Sequence, residues 1–139
     1  MSDGALPAER IEWIERAMET VPYAQLLGIQ LEKLAPGEAT LMLLVRPDLL
    51  QNHGVVHGGA TASLIDSATA FAILTLLEPA ERVTTVNLTI SYLRPAREGH
   101  MRAIARVLRQ GRRLLTVSAE VTDKGGTLLA TALSTYLKL

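Results

Sequence analysis

No cysteine occurs among the 139 residues. That excludes a disulfide framework and any thiolate metal site. Aromatic residues are scarce: one Trp, one Phe and three Tyr. A core built from this chain is therefore aliphatic, drawn from the Leu, Val, Ile and Ala of a 48% hydrophobic composition. Net charge is missing too, since 14 Lys and Arg balance 14 Asp and Glu. No overall field draws such a chain to nucleic acid or to a membrane surface, and copies of it repel one another little. The first residues, MSDGALPAERIEWIERAME, are acidic and amphipathic. They do not read as a signal peptide, and the composition fits a cytoplasmic protein. The length favours a single domain, spanning residues 1–139, around one core.

What is present is a regular alternation of patterns. Residues 7–27 read as a helical segment: Ile11, Ile14 and Met18 fall on one face, and Pro22 and Gly28 bound a second short turn. Residues 28–34 and 38–46 alternate as strands around a Pro36-Gly37 turn. Residues 58–77 are too long and too alanine-rich for a strand and read as a helix. Four more strands follow at 83–93, 101–109, 114–122 and 127–137, broken by turns at Gln110-Gly111 and Lys124-Gly125-Gly126. Consecutive strands joined by short turns imply an antiparallel sheet. A helix apolar on all sides needs cover. The expected layout is α+β, a curved sheet wrapped around residues 58–77.

That helix carries one acid, Asp66. The acid and five hydroxyl residues (Thr61, Ser63, Ser67, Thr69, Thr75) argue against a membrane span. A lone buried carboxylate costs several kcal/mol unless it is paired or protonated. A bland role is a bond to a nearby hydroxyl or backbone group. Two features favour a chemical one: Asp66 lies about two turns into the helix, and the helix begins at Gly58-Gly59, where bare N–H groups carry the positive end of the helix dipole. One short stretch thus offers an oxyanion site and a carboxylate base or nucleophile, the two needs of acyl hydrolysis. Other chemistries fit less well. His53 and His57 have the spacing of a zinc-binding pair, but Gly54 stands where that motif needs its glutamate. No Gly-Lys-Ser/Thr makes a phosphate loop, and Ser63 and Ser67 lack a G-x-S-x-G elbow. His57 is expected to brace the loop that presents Gly58.

Charge is unevenly placed. Between residues 94 and 113 stand Arg94, Arg97, Arg102, Arg106, Arg109, Arg112 and Arg113, against Glu98 alone. This is a solvated strand face or a phosphate-recognition surface. The few aromatics and the neutral total disfavour nucleic acid, so a small ligand bearing several phosphates fits better.

Asn52, four residues, then His57-Gly58-Gly59, with Asp66 nine residues after the histidine, resembles the hotdog-fold acyl-CoA thioesterases of the PaaI-like, phenylacetate-pathway type. Leu27-Gly28-Ile29, Ser91-Tyr92-Leu93-Arg94-Pro95-Ala96 and Gln110-Gly111 extend the likeness over nearly the whole chain. The resemblance implies a five- or six-stranded antiparallel sheet around the long helix. It also implies a homodimer as the minimal active unit, commonly paired into a homotetramer, with active sites at the dimer interface. The implied substrate is a small aryl- or medium-chain acyl-CoA, with no metal or redox cofactor. On matching positions, the Gly58 N–H polarises the thioester carbonyl and Asp66 acts as general base or nucleophile. Thr85 positions water. The amide position six residues before the histidine holds Gln51, where this type prefers asparagine; Asn52 stands one residue along. Relatives with glutamine usually pair it with a glutamate, so the combination with Asp66 departs from both patterns. Ala70 cannot serve as the second polar group of the glutamate branch. Coenzyme A phosphates would lie near Asn87, Tyr92, Arg94, Arg109, Arg112 and Arg113. A non-catalytic acyl-CoA binder on the same scaffold is the alternative.

Overall fold

A computed structural model describes residues 4–139. Two short helices, α1 (Ala8–Thr20) and α2 (Pro22–Leu27), precede a hairpin of β1 (Gln30–Ala35) and β2 (Glu38–Leu44). A 3-10 turn at Pro47–Leu49 leads into the long helix α3 (Gly58–Leu74). Then follow β3 (Val83–Tyr92), β4 (His100–Gln110), β5 (Leu114–Asp123) and β6 (Leu128–Lys138). The six strands form one sheet in the order β1-β2-β4-β5-β6-β3, antiparallel throughout. This is the α+β hotdog fold expected from the sequence. No helix among the described residues is long and apolar enough to cross a membrane.

The sheet wraps α3 because its strands alternate. Ala39, Leu41 and Leu43 of β2, Met101, Ala103 and Ala105 of β4, and Leu115, Val117, Ala119 and Val121 of β5 all turn inward and are buried. Leu64, Ile65, Ala68 and Ala72 of α3 meet them. The alanines on both surfaces let helix and sheet approach closely. The large aliphatics supply the stabilisation, about 1.5–3 kcal/mol for each fully buried Leu or Ile.

Helix α3 stops at Leu74, three residues before the expected end. The hydroxyl of Thr75 donates to the Ala72 carbonyl at 2.6 Å and accepts from the Gly37 N–H at 2.7 Å. It thereby closes the helix and ties its C-terminus to the β1–β2 turn. Arg10 of α1 donates to the carbonyls of Thr75 at 2.9 Å and Leu74 at 3.3 Å, a cation at the negative end of the dipole. Ile14 and Met18 bury the inner face of α1 against the core. Strand β3 closes the other side. It pairs only with β6, so its outer edge is open, and Val86 on it is 56% exposed.

Candidate active site

Asp66 lies about two turns into α3, half-buried beneath the open edge of the sheet. Its Oδ1 accepts a hydrogen bond from the hydroxyl of Thr85 on β3 at 2.9 Å. The hydroxyl of Tyr136 on β6 lies 3.1 Å from the same oxygen and 2.8 Å from the Asp66 backbone carbonyl. Thr69, one turn further along α3, joins this cluster, 3.0 Å from the Asp66 carbonyl and 2.8 Å from the Tyr136 hydroxyl. Thr85 and Tyr136 are cross-strand partners, which brings both hydroxyls to the same row of the sheet. Oδ2 accepts no hydrogen bond from the described residues and is not sealed from solvent. Burial pushes the Tyr136 phenol up to about 12, and the neighbouring Asp66 charge adds to the rise. Tyr136 is therefore a neutral donor at any ordinary pH.

The start of α3 is built by the loop before it. Backbone bonds from Val56 to Ala96 (2.7 Å) and from His57 to Leu49 (2.8 Å) fix that loop. His57 is the N-cap: its Nδ1 accepts the Gly59 N–H at 2.8 Å, which requires that nitrogen to be unprotonated. The Ala60 N–H bonds to the His57 carbonyl at 2.9 Å. The N–H of Gly58 makes no hydrogen bond among the described residues, so the helix end presents one uncommitted amide hydrogen. Tyr92, at the end of β3, donates to the Gly58 carbonyl at 2.8 Å, and its ring lies 3.4 Å from where a Cβ on residue 58 would stand. Gln51 turns its Oε1 back to accept the His53 N–H at 2.8 Å, while Asn52 is exposed.

Gly58 and Asp66 are eight residues apart on one helix. At ~1.5 Å per residue they stand ~12 Å apart along the axis. An oxyanion donor and a carboxylate serving one reaction would each have to come within about 3 Å of the reacting group, and the gap within a single chain is wider than this.

The arginines divide into groups. Arg102 pairs with Glu32 at 2.6 Å and Arg106 with Glu38 at 2.7 Å, so two of the seven are neutralised by acids of β1 and β2. Glu32 also raises the affinity of Arg102 for its proton, through their hydrogen bond first and their charges second. Arg109, Arg112 and Arg113 form no ion pair among the described residues. With Gly111 and Leu114 they line an open concavity of about 440 Å³ at the β4–β5 hairpin. The pairings Thr85–Tyr136, Tyr136–Leu115 and Leu115–Gln110 form one continuous row. The hairpin therefore sits at the same end of the sheet as Asp66, three strand spacings or ~14 Å across. Arg94 lies at the other end, its N–H bonded to Leu129 beside the loop that leads to Gly58. Asn87, at a bulge in β3, accepts from the Thr89 hydroxyl at 3.2 Å and through its carbonyl from Ser134 at 3.1 Å.

Sequence reasoning missed Tyr136, Thr69 and the hold of Tyr92 on Gly58. A signal for Tyr136 existed: it is one of five aromatics and sits at an inward position of its strand, where a buried hydroxyl needs a partner.

The chain has clear relatives. A family model described as the thioesterase superfamily matches residues 53–130. Human acyl-coenzyme A thioesterase 13 is 35% identical over 111 residues, covering 78% of this chain and 79% of that protein. A thioesterase family protein from Silicibacter pomeroyi superposes with a TM-score of 0.87 at 28% identity, covering 94% of this chain and 98% of the other. The E. coli PaaI protein, from the phenylacetic acid degradation operon, superposes with a TM-score of 0.86 at 25% identity and 95% coverage of both chains.

Proposed function

The chain belongs to the thioesterase superfamily, and on that footing we propose that it hydrolyses acyl-CoA thioesters, with small aryl- or medium-chain acyl groups, to free coenzyme A and carboxylic acid. The observation that carries this reading is Asp66: a carboxylate with one oxygen held by Thr85 and Tyr136 and the other uncommitted, beside an unpaired sheet edge. The acyl-CoA thioesterase name of the human relative supports the substrate class.

The catalytic unit in this proposal is a homodimer joined edge to edge along β3. Ten residues of open strand are a standing template for a second strand. Thr85 touches Asp66 near one end of β3, and Tyr92 touches Gly58 at the other. An antiparallel β3–β3 ladder centred near Leu88–Thr89 sets the Gly58 end of one copy against the Asp66 end of the next. The ~12 Å gap within one helix is then bridged by symmetry, giving two composite sites. The same two-fold brings Arg94 of one copy toward Arg109, Arg112 and Arg113 of the other. These cations would receive the pyrophosphate and 3′-phosphate of coenzyme A, with Asn87 on the strand between them.

The reaction follows from charge. The Gly58 N–H, at the positive end of α3, hydrogen-bonds the thioester carbonyl oxygen and stabilises the negative charge it gains. Tyr92 holds Gly58 in place through its carbonyl, and the His57 ring keeps Gly59 in the helical turn behind it. Asp66 takes a proton from water as water attacks the carbonyl carbon, or attacks that carbon itself and is released by water in a second step. The tetrahedral centre collapses, the C–S bond breaks, and the coenzyme A sulfur leaves and takes up a proton. In the first route the Thr85 hydroxyl lies beside the water. Gln51, released from His53, or Asn52 supplies a second donor to the carbonyl.

Thiol release from a panel of aryl and aliphatic CoA esters tests this proposal. Asp66→Asn is expected to fold normally and lose roughly 100- to 1,000-fold in turnover, the scale of one lost transition-state contact. Wild-type turnover by that variant would remove Asp66 from the mechanism. Saturable binding of every ester without hydrolysis by the wild type would make the chain an acyl-CoA binder instead.

A further inference from the structure

We infer that Tyr136 is a positioning residue for this reaction: with Thr85 it holds Oδ1 of Asp66, so that Oδ2 is the oxygen that meets the reacting centre. The inference rests on the proposed catalytic role of Asp66 and adds to it a residue and an atom.

The geometry is specific. Tyr136 is 2% exposed, packed between the sheet and α3. Its single hydroxyl oxygen lies within hydrogen-bond reach of both ends of one residue: the Asp66 carbonyl at 2.8 Å and its Oδ1 at 3.1 Å. A contact to backbone and side chain together restrains the side-chain torsions of the aspartate. Thr85 approaches Oδ1 from the edge strand at 2.9 Å, so two donors from adjacent strands converge on one oxygen. Oδ2 is left without a donor among the described residues and is not sealed from solvent.

Counting protons gives the cluster a further property. Tyr136 and Thr69 each have one hydroxyl hydrogen, and between them stand the Asp66 carbonyl, Oδ1 and each other's oxygen. While Asp66 is an anion, Tyr136 donates to Oδ1, and Thr69 shares its hydrogen between the Tyr136 oxygen and the carbonyl. Once Oδ2 has taken a proton or formed a bond, Oδ1 is a weaker acceptor. Tyr136 then turns its hydrogen to the carbonyl, and Thr69 donates to Tyr136. Every polar atom stays satisfied in both arrangements, and no heavy atom moves. The carboxylate changes charge without the reorganisation that an unsupported buried acid would need.

Steady-state kinetics on the thiol-release assay separates this role from plain structural support. Tyr136→Phe removes the hydroxyl and keeps the ring. It is expected to lower kcat about tenfold with KM changed less than twofold, since an interaction that acts on the transition state appears in kcat. Combined with Asp66→Asn it should slow the enzyme no further, because the two act as one unit. Thr69→Val is expected to lower kcat in the same direction, and Thr69→Ser, which restores the hydroxyl, to recover it. Full-speed Tyr136→Phe beside an inactive Asp66→Asn would overturn the inference and leave the proposed function standing. An Asp66→Asn enzyme as active as wild type would overturn both. If Tyr136→Phe does not fold, the Thr69 pair carries the test: equal kcat in the Val and Ser variants overturns the inference.

Discussion

The buried phenol of Tyr136 makes a prediction about stability that needs no substrate. In the unfolded chain a tyrosine ionises near ~10, whereas in the folded protein Tyr136 is pushed up to about 12 by burial. Below pH ~10 both states carry the proton and the full contribution is present. As pH rises past that, the unfolded chain loses the proton first, so it binds fewer protons than the native state and stability falls with pH. The contribution is lost progressively between about 10 and about 12. At pH 11 the loss works out at about 1.4 kcal/mol, a factor of about ten in the unfolding equilibrium. Lysines and the other tyrosines titrate in the same window, so the wild type alone cannot isolate the effect. The comparison with Tyr136→Phe does. Urea unfolding of both proteins at pH 8 and pH 11, at one fixed protomer concentration, should show the gap between them narrowing by about 1.4 kcal/mol toward high pH. A gap that stays constant would mean that the phenol is not isolated from water, and the account of Tyr136 as a hydroxyl enclosed beside Asp66 would fail with it.

Two further outcomes follow from the edge strand and the hairpin. Val86→Lys places a charge on the exposed edge within the proposed β3–β3 ladder, near its centre at Leu88–Thr89. It should shift the protein toward monomer in sedimentation velocity, with thiol-release activity falling in step; an active monomer would refute the shared site. Arg112→Ala combined with Arg113→Ala should raise KM for acyl-CoA several-fold at unchanged kcat, as expected when two charge contacts to phosphate are lost. The same pair should leave KM for the corresponding acyl-pantetheine, which lacks the nucleotide, where it was. Equal effects on both substrates would move the phosphates elsewhere.

Much of this molecule could be read along the chain. Alternation gave the strands to within two residues, and the alanine-rich run of residues 58–77 marked the helix that the sheet must cover. Asp66 stood out because nothing adjacent in sequence neutralises it. What escaped notice was set by tertiary neighbours. Tyr136 is 70 residues from Asp66, and only the pairing of β3 with β6 puts it there. The arginine cluster looked uniform, yet Arg106 faces Glu38 directly across the β2–β4 ladder, and Arg102 reaches past β2 to Glu32 on β1. The end of α3 moved from residue 77 to Leu74 because a threonine hydroxyl found a glycine N–H on a distant turn. Local propensity cannot anticipate a bond of that kind.

Pinned at Gly58 by Tyr92 and at Thr75 by Gly37 and Arg10, α3 acts as a ruler with both ends nailed down. Its graduations are turns, so spacing and facing change together. One residue inserted between Gly58 and Asp66 would advance the carboxylate by only ~1.5 Å but swing it by ~100°, away from Thr85 and Tyr136. The eight-residue interval is therefore under tighter constraint than the identities of most residues within it. Length variation in this fold should gather before His57 and after Thr75, outside the measured span.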